Sequence, residues 1–217
     1  MKTDTQLRQE VERELEWDPS VPVGDIAAAV KDGVVTLQGE VRSYAERWGA
    51  ERAVERVRGV RGIASELEIR SAEEHTDTDI AEAAANALQW HAFLPADQVV
   101  VKVQKGWVTL TGALQHDYQR HAAERSVRYL RGVKGVTDKI VLESLVEPTD
   151  LTRKIQQSFA RHAATDATRI QVESAAGAVT LRGTVRSWAE RRDAERTAWA
   201  APGVTAVHNF LTVQVDG

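Results

Sequence analysis

Apolar residues recur four apart in three stretches of the chain: Leu7, Val11 and Leu15; Ile80, Ala84 and Leu88; Leu151, Ile155 and Phe159. That spacing sets them on one stripe of a helix. Thr and Asp residues ahead of each stretch suit N-caps, and Asp79 with Glu82 has capping-box spacing. Pro19, Pro22 and Pro95 end the first two helices. The period then falls to two, as in a strand, with Ile26, Ala28 and Val30; Val99, Val101 and Val103; and Ile170, Val172 and Ser174 on alternate positions.

A second alternating stretch follows each first one after a short turn and carries a glycine-flanked pattern: GVVTLQG from Gly33, GWVTLTG from Gly106 and GAVTLRG from Gly177. Gly33, Gly106 and Gly177 close a tight hairpin turn that calls for positive φ. Val35, Leu37 and Val41 face one way and Thr36, Gln38, Glu40 and Arg42 the other, so the predicted sheet has one apolar and one wet face. Gly39, Gly112 and Gly183 fall on the apolar register, which predicts a bulge or the close approach of a helix.

Next comes a helix from about Ser43 to Val57, with Ala50, Ala53, Val54 and Val57 on one face, repeated as Ala123, Val127 and Leu130 and as Ala194, Ala198 and Ala201. Small residues there imply close packing on the sheet. Arg47 with Glu51, Arg120 with Glu124, and Arg191 with Glu195 read as four-residue pairs on the solvent side. Gly59, Gly132 and Gly203 suit C-terminal caps. A third alternating strand closes each copy, through Ile63, Ser65, Leu67 and Ile69 and their counterparts.

Shifts of 73 and then 71 residues superpose the copies without internal gaps, and eleven positions between Gly33 and Val60 hold the same residue in all three. A repeat overrides the one or two domains that length suggests. The predicted fold is α+β: three tandem αββαβ domains, 1–70, 77–143 and 148–215, each a three-stranded mixed sheet with two helices on one face. The polar linkers Ser71–Thr76 and Glu143–Thr149 are short.

Composition narrows the chemistry. Cysteine is absent, which removes disulfides, thiolate metal sites and a cysteine nucleophile. A net charge of −4 gives no general pull toward nucleic acid. There is no apolar run long enough for a transmembrane segment, and the N-terminus lacks a signal-peptide pattern, so the expectation is a cytoplasmic protein, or a periplasmic one if this is a trimmed mature form.

The element order, the Gly33–Gly39 pattern, the alanine-rich second helix and the Gly59-Val60 end resemble the BON domain, the bacterial osmotic-shock and nodulation domain. The third copy matches best, because Pro202-Gly203-Val204 followed by Val207 and Asn209 looks like the family's closing motif; Ser65 and Asp138 stand where Asn209 does. The resemblance implies an envelope or osmotic-stress role, with phospholipid association or potassium sensing as the ligand chemistry. It implies no shared catalytic residues, so no enzyme and no cofactor are expected.

Candidate contact residues come from differences between copies. Trp48 aligns with His121 and Arg192, Trp199 with Glu55 and Arg128, and Trp188 with Tyr44 and Asp117. Places that accept charge in a sister copy are expected to be exposed, so these three, with Trp107 on the outer sheet register, are candidates for ligand contact, domain packing or homo-oligomer formation. Trp17 and Trp90 align with each other and read as core closure. Asp32, Asp138 and Asn209 are the oxygen donors for a cation, alongside backbone carbonyls at the glycine turns. Of the six histidines only His91 and His162 align, and none has metal-ligand spacing.

Overall fold

A computed structural model of the chain describes residues 2–22, 24–70, 75–95, 97–143, 151–161 and 169–214. The first repeat runs α1 (Asp4–Trp17), β1 (Ile26–Lys31), β2 (Val34–Val41), α2 (Tyr44–Arg56) and β3 (Gly62–Ile69). The second is α3 (Asp77–Gln89), β4 (Val99–Gln104), β5 (Trp107–Leu114), α4 (Asp117–Arg128) and β6 (Gly135–Leu142). The third is α5 (Leu151–Arg161), β7 (Ile170–Ala175), β8 (Ala178–Val185), α6 (Trp188–Trp199) and β9 (Ala206–Val213). The Phe159 side chain, His162 and most of both linkers lie outside the described residues.

Each repeat has its own three-stranded sheet with the second strand central. In the second and third repeats the first pair is antiparallel and the second parallel, giving the mixed sheet. The parallel step needs a crossover, and the second helix supplies it. Val35 and Leu37, Val108 and Leu110, and Val179 and Leu181 are fully buried on the apolar sheet face. In the third repeat Leu151 and Ile155 of α5 join Ala194 and Ala198 of α6 in one core with Val172, Leu181 and Leu211, so both helices cover the same face. Contacts along the chain divide it into two compact units: 1–39, 48–67 and 144–217 form one, and 40–47 with 68–143 the other.

The hairpin turns have two residues with positive φ, Asp32-Gly33, Lys105-Gly106 and Ala176-Gly177, as a type I′ turn requires. Gly39, Gly112 and Gly183 have a different partner from the expected helix. A Cβ there would lie 2.0 Å from the carbonyl oxygen of Asp25, Gln98 or Arg169, at the entry to the neighbouring strand. Capping also differs. Thr76 is the N-cap of α3 and Asp79 its box partner, and Thr3 with Gln6 does the same for α1. Asp79 thus accepts from Thr76 rather than capping toward Glu82, and those hydrogen bonds hold its carboxyl below the ordinary range.

Candidate functional site

The Arg/Glu pairs of the second helices are not at the solvent surface. All six residues are half-buried, and in the second and third repeats they lie along the seam between helix and third strand, where the strand contributes Asp138 or Asn209. In the third repeat Arg191 donates to the carbonyls of Asn209 (2.7 Å) and Leu211 (3.1 Å), while Asn209 Nδ2 donates to Glu195 (2.9 Å). The arginine is drawn inward because β9 is an edge strand whose unpaired side offers it carbonyl oxygens. In the second repeat Arg120 pairs with Asp117 and, at 3.6 Å, with Asp138. Although Asp138 is exposed as a whole residue, its side chain is only 24% exposed, and burial pushes its carboxyl above the ordinary value against the opposing pull of the Ile140 amide and Arg120. Ser65 stands at the same place in the first repeat, and its hydroxyl is buried without a hydrogen-bond partner among the described residues.

The three cation candidates sit in different surroundings. Asp138 faces an arginine, Asn209 is engaged with Glu195, and Asp32 is at an exposed turn. Asp138 and Asn209 are equivalent positions in separate repeats, each engaged by side chains of its own repeat. At the turns the backbone amides point to a carboxylate: Asp4 accepts from Asp32 and Gly33 (2.8 and 3.1 Å), and Asp77 from Lys105 and Gly106 (2.7 and 2.8 Å). Successive amides of this kind make an anion nest. The Gly33, Gly106 and Gly177 carbonyls accept from Arg61, Lys134 and Thr205.

The tryptophans depart from expectation. Trp48, Trp188 and Trp199 are half-buried. Arg52 lies 4.4 Å over the Trp48 ring, Arg191 lies 5.7 Å from that of Trp188, and Trp199 packs against the third core. A large ring at the edge of a small core is covered by neighbours that a charged residue at the same place would not need. Glu55 of α2 and Arg192 of α6, which occupy places equivalent to Trp199 and Trp48, form an ion pair within the first compact unit. Trp107 is 44% exposed; its Nε1 donates to Thr137 (2.7 Å), and its ring lies against Gly135 of β6.

Trp17 and Trp90, expected in the core, are the most exposed, at 86% and 85%. Leu15 and Leu88 already close the helix stripe, so the following aromatic is left outside. Trp17 borders an open cleft with Arg13, Glu14 and Arg56, in which Arg56 is paired with Glu14 and Asp18. Beyond Trp90, the half-buried ring of His91 and the exposed rings of Phe93, Tyr118 and His116 form a ladder with centroid spacings of 5.7, 6.3 and 5.3 Å. Only the alignment of Trp17 with Trp90 in the sequence pointed to a recurring place.

Among the described residues no group of three His, Asp or Glu side chains is placed to hold a metal. No described helix is long and apolar enough to cross a membrane.

The fold and its repetition define a class: a tandem array of small α+β domains with structural glycines in common. The BON domain model matches residues 3–71, 76–144 and 148–215, and the chain belongs to that family. Over 143 residues it is 29% identical to osmotically-inducible protein Y of Escherichia coli (strain K12), covering 63% of this chain and 71% of that protein. A solved structure of CdsD, a structural protein of the type III secretion system of Chlamydia trachomatis, aligns over 95% of this chain and 91% of its own at 14% identity and a TM-score of 0.27, too loose a match to carry an argument.

Proposed function

We propose that the chain is a non-enzymatic, osmotic-stress-associated binding protein of three domains, bounded near 1–70, 77–143 and 148–215, that associates with phospholipid. Membership of the BON family and the likeness to an osmotically inducible protein support the stress-associated and non-enzymatic parts. The observation that carries the ligand is the recurrence of a solvent-exposed tryptophan, Trp17 and Trp90, at the same place after the first helix of two repeats. A tryptophan has an apolar ring and a polar N–H, which suits the boundary between headgroups and acyl chains. Potassium is the weaker ligand, because the turn carbonyls are already hydrogen-bonded and Asp138 faces Arg120.

Flotation with phosphatidylglycerol vesicles, read alongside tryptophan fluorescence and calorimetric titration with potassium chloride, tests this. The wild type should float and its emission shift to the blue, and a Trp17→Ala, Trp90→Ala variant should do neither. A wild type that stays in the aqueous fraction, or a variant that floats equally, overturns lipid contact through these rings; saturable potassium binding instead would restore the cation.

A second role, as a structural module held together by contacts between repeats, is favoured by the Glu55–Arg192 pair and by the partial burial of Trp48 and Trp188.

A further inference from the structure

Four basic side chains line a cleft of about 620 Å³ in the second compact unit, which the tryptophans do not line. Its walls come from the end of β2 and start of α2 (Arg42, Ser43), the end of β3 (Arg70) and the loop between α4 and β6 (Tyr129, Arg131, Lys134). No described residue lining it is acidic. In a chain whose net charge is −4, four fixed cations around one cleft run against the overall sign.

The cations are not equivalent. Arg70 pairs with Glu40 at 2.9 Å and Glu68 at 4.0 Å, which fixes it at the rim. Arg42 and Lys134 are exposed and have no ion-pair partner among the described residues. Tyr129 is 62% exposed and adds a phenol. An unpaired guanidinium, an unpaired ammonium and a hydroxyl around one cleft match the several oxygens of a phosphate group, to which arginine and lysine give short, charge-assisted hydrogen bonds.

We infer that this cleft is a binding site for a phosphate-bearing anion, with Arg42 and Lys134 as its principal contacts. The group is carried either by a soluble phosphate compound or by a lipid headgroup; the site is separate from Trp17 and Trp90 and does not depend on their role. Removing both charges weakens binding about tenfold or more.

The test uses the full chain, an Arg42→Gln, Lys134→Gln variant, and a control of equal charge, Lys102→Gln, Lys139→Gln, whose side chains are exposed elsewhere on the second repeat. All four positions are on the surface, and thermal melts verify that each variant is folded. Calorimetry with inorganic pyrophosphate and co-sedimentation with phosphatidylglycerol vesicles form the two arms. Saturable binding by wild type and control, weakened at least tenfold in the cleft variant, is expected in one arm or both: pyrophosphate alone identifies a soluble phosphate, vesicles alone a headgroup. The proposal is overturned if the wild type binds neither, if the cleft variant binds as the wild type does, or if control and cleft variants lose equally. Vesicle binding that needs the tryptophans but not Arg42 and Lys134 leaves the lipid function standing and removes this site.

Discussion

Asp138 and Asn209 show what one atom changes at an otherwise shared place. Both accept from the amide two residues on, at 2.9 and 3.1 Å, but Asn209 also donates to Glu195, whereas Asp138 presents a second negative charge beside Glu124. A carboxyl whose folded pKa is raised favours folding below its ordinary range, and that contribution disappears as pH climbs from the ordinary value through the raised one. Asp138→Asn is therefore expected to raise stability at pH 7 by about 1 kcal/mol, the net worth of one hydrogen bond, and to flatten the fall in stability above pH 4. Urea denaturation at pH 4 and pH 7 reads both. A variant less stable at pH 7 would mean that the 3.6 Å pairing with Arg120 outweighs the cost of burial.

The elements are tied to one another by backbone groups as much as by the core. Asp4 and Asp77 open their helices and also hold the two positive-φ amides of the hairpin turn, so helix start and turn are set by a single carboxylate. Charge-assisted bonds of this kind are worth about 1.5–3 kcal/mol. Asp77→Ala should lower the stability of the second repeat by roughly that amount, and amide hydrogen exchange at Lys105 and Gly106 should quicken first; unchanged exchange at those two amides would show the contact to be dispensable. In the third repeat Thr152 and Ser174 meet at 2.7 Å, joining α5 to the end of β7 through hydroxyls. The sequence disclosed the helix, the turn and the glycine, since each is a local pattern. The link between them spans 28 residues and left no periodic trace.

At the scale of the whole molecule, the first compact unit contains residues from the first and third repeats, joined by Glu55 and Arg192. Both partners are half-buried rather than exposed, and reversing one sign sets like charges face to face. Glu55→Arg and Arg192→Glu should each lower the melting temperature and enlarge the radius from small-angle scattering, and the double reversal should restore both. Failure of the double variant to recover would deny the contact a role in holding these repeats together. The order of elements, the mixed sheets and family membership were legible in the chain because period, turn glycines and a threefold repeat are properties of neighbouring residues. Exposure of individual side chains was not. Comparing copies suggested exposed Trp48, Trp188 and Trp199 and buried Trp17 and Trp90, whereas the structure leaves the first three half-buried and the last two almost fully exposed. Sequence alone determined the order of helices and strands in each repeat, since that depends on spacing along the chain; only tertiary structure decided which side chains meet solvent, a neighbouring strand or a charge, because those contacts are made by residues far apart in sequence.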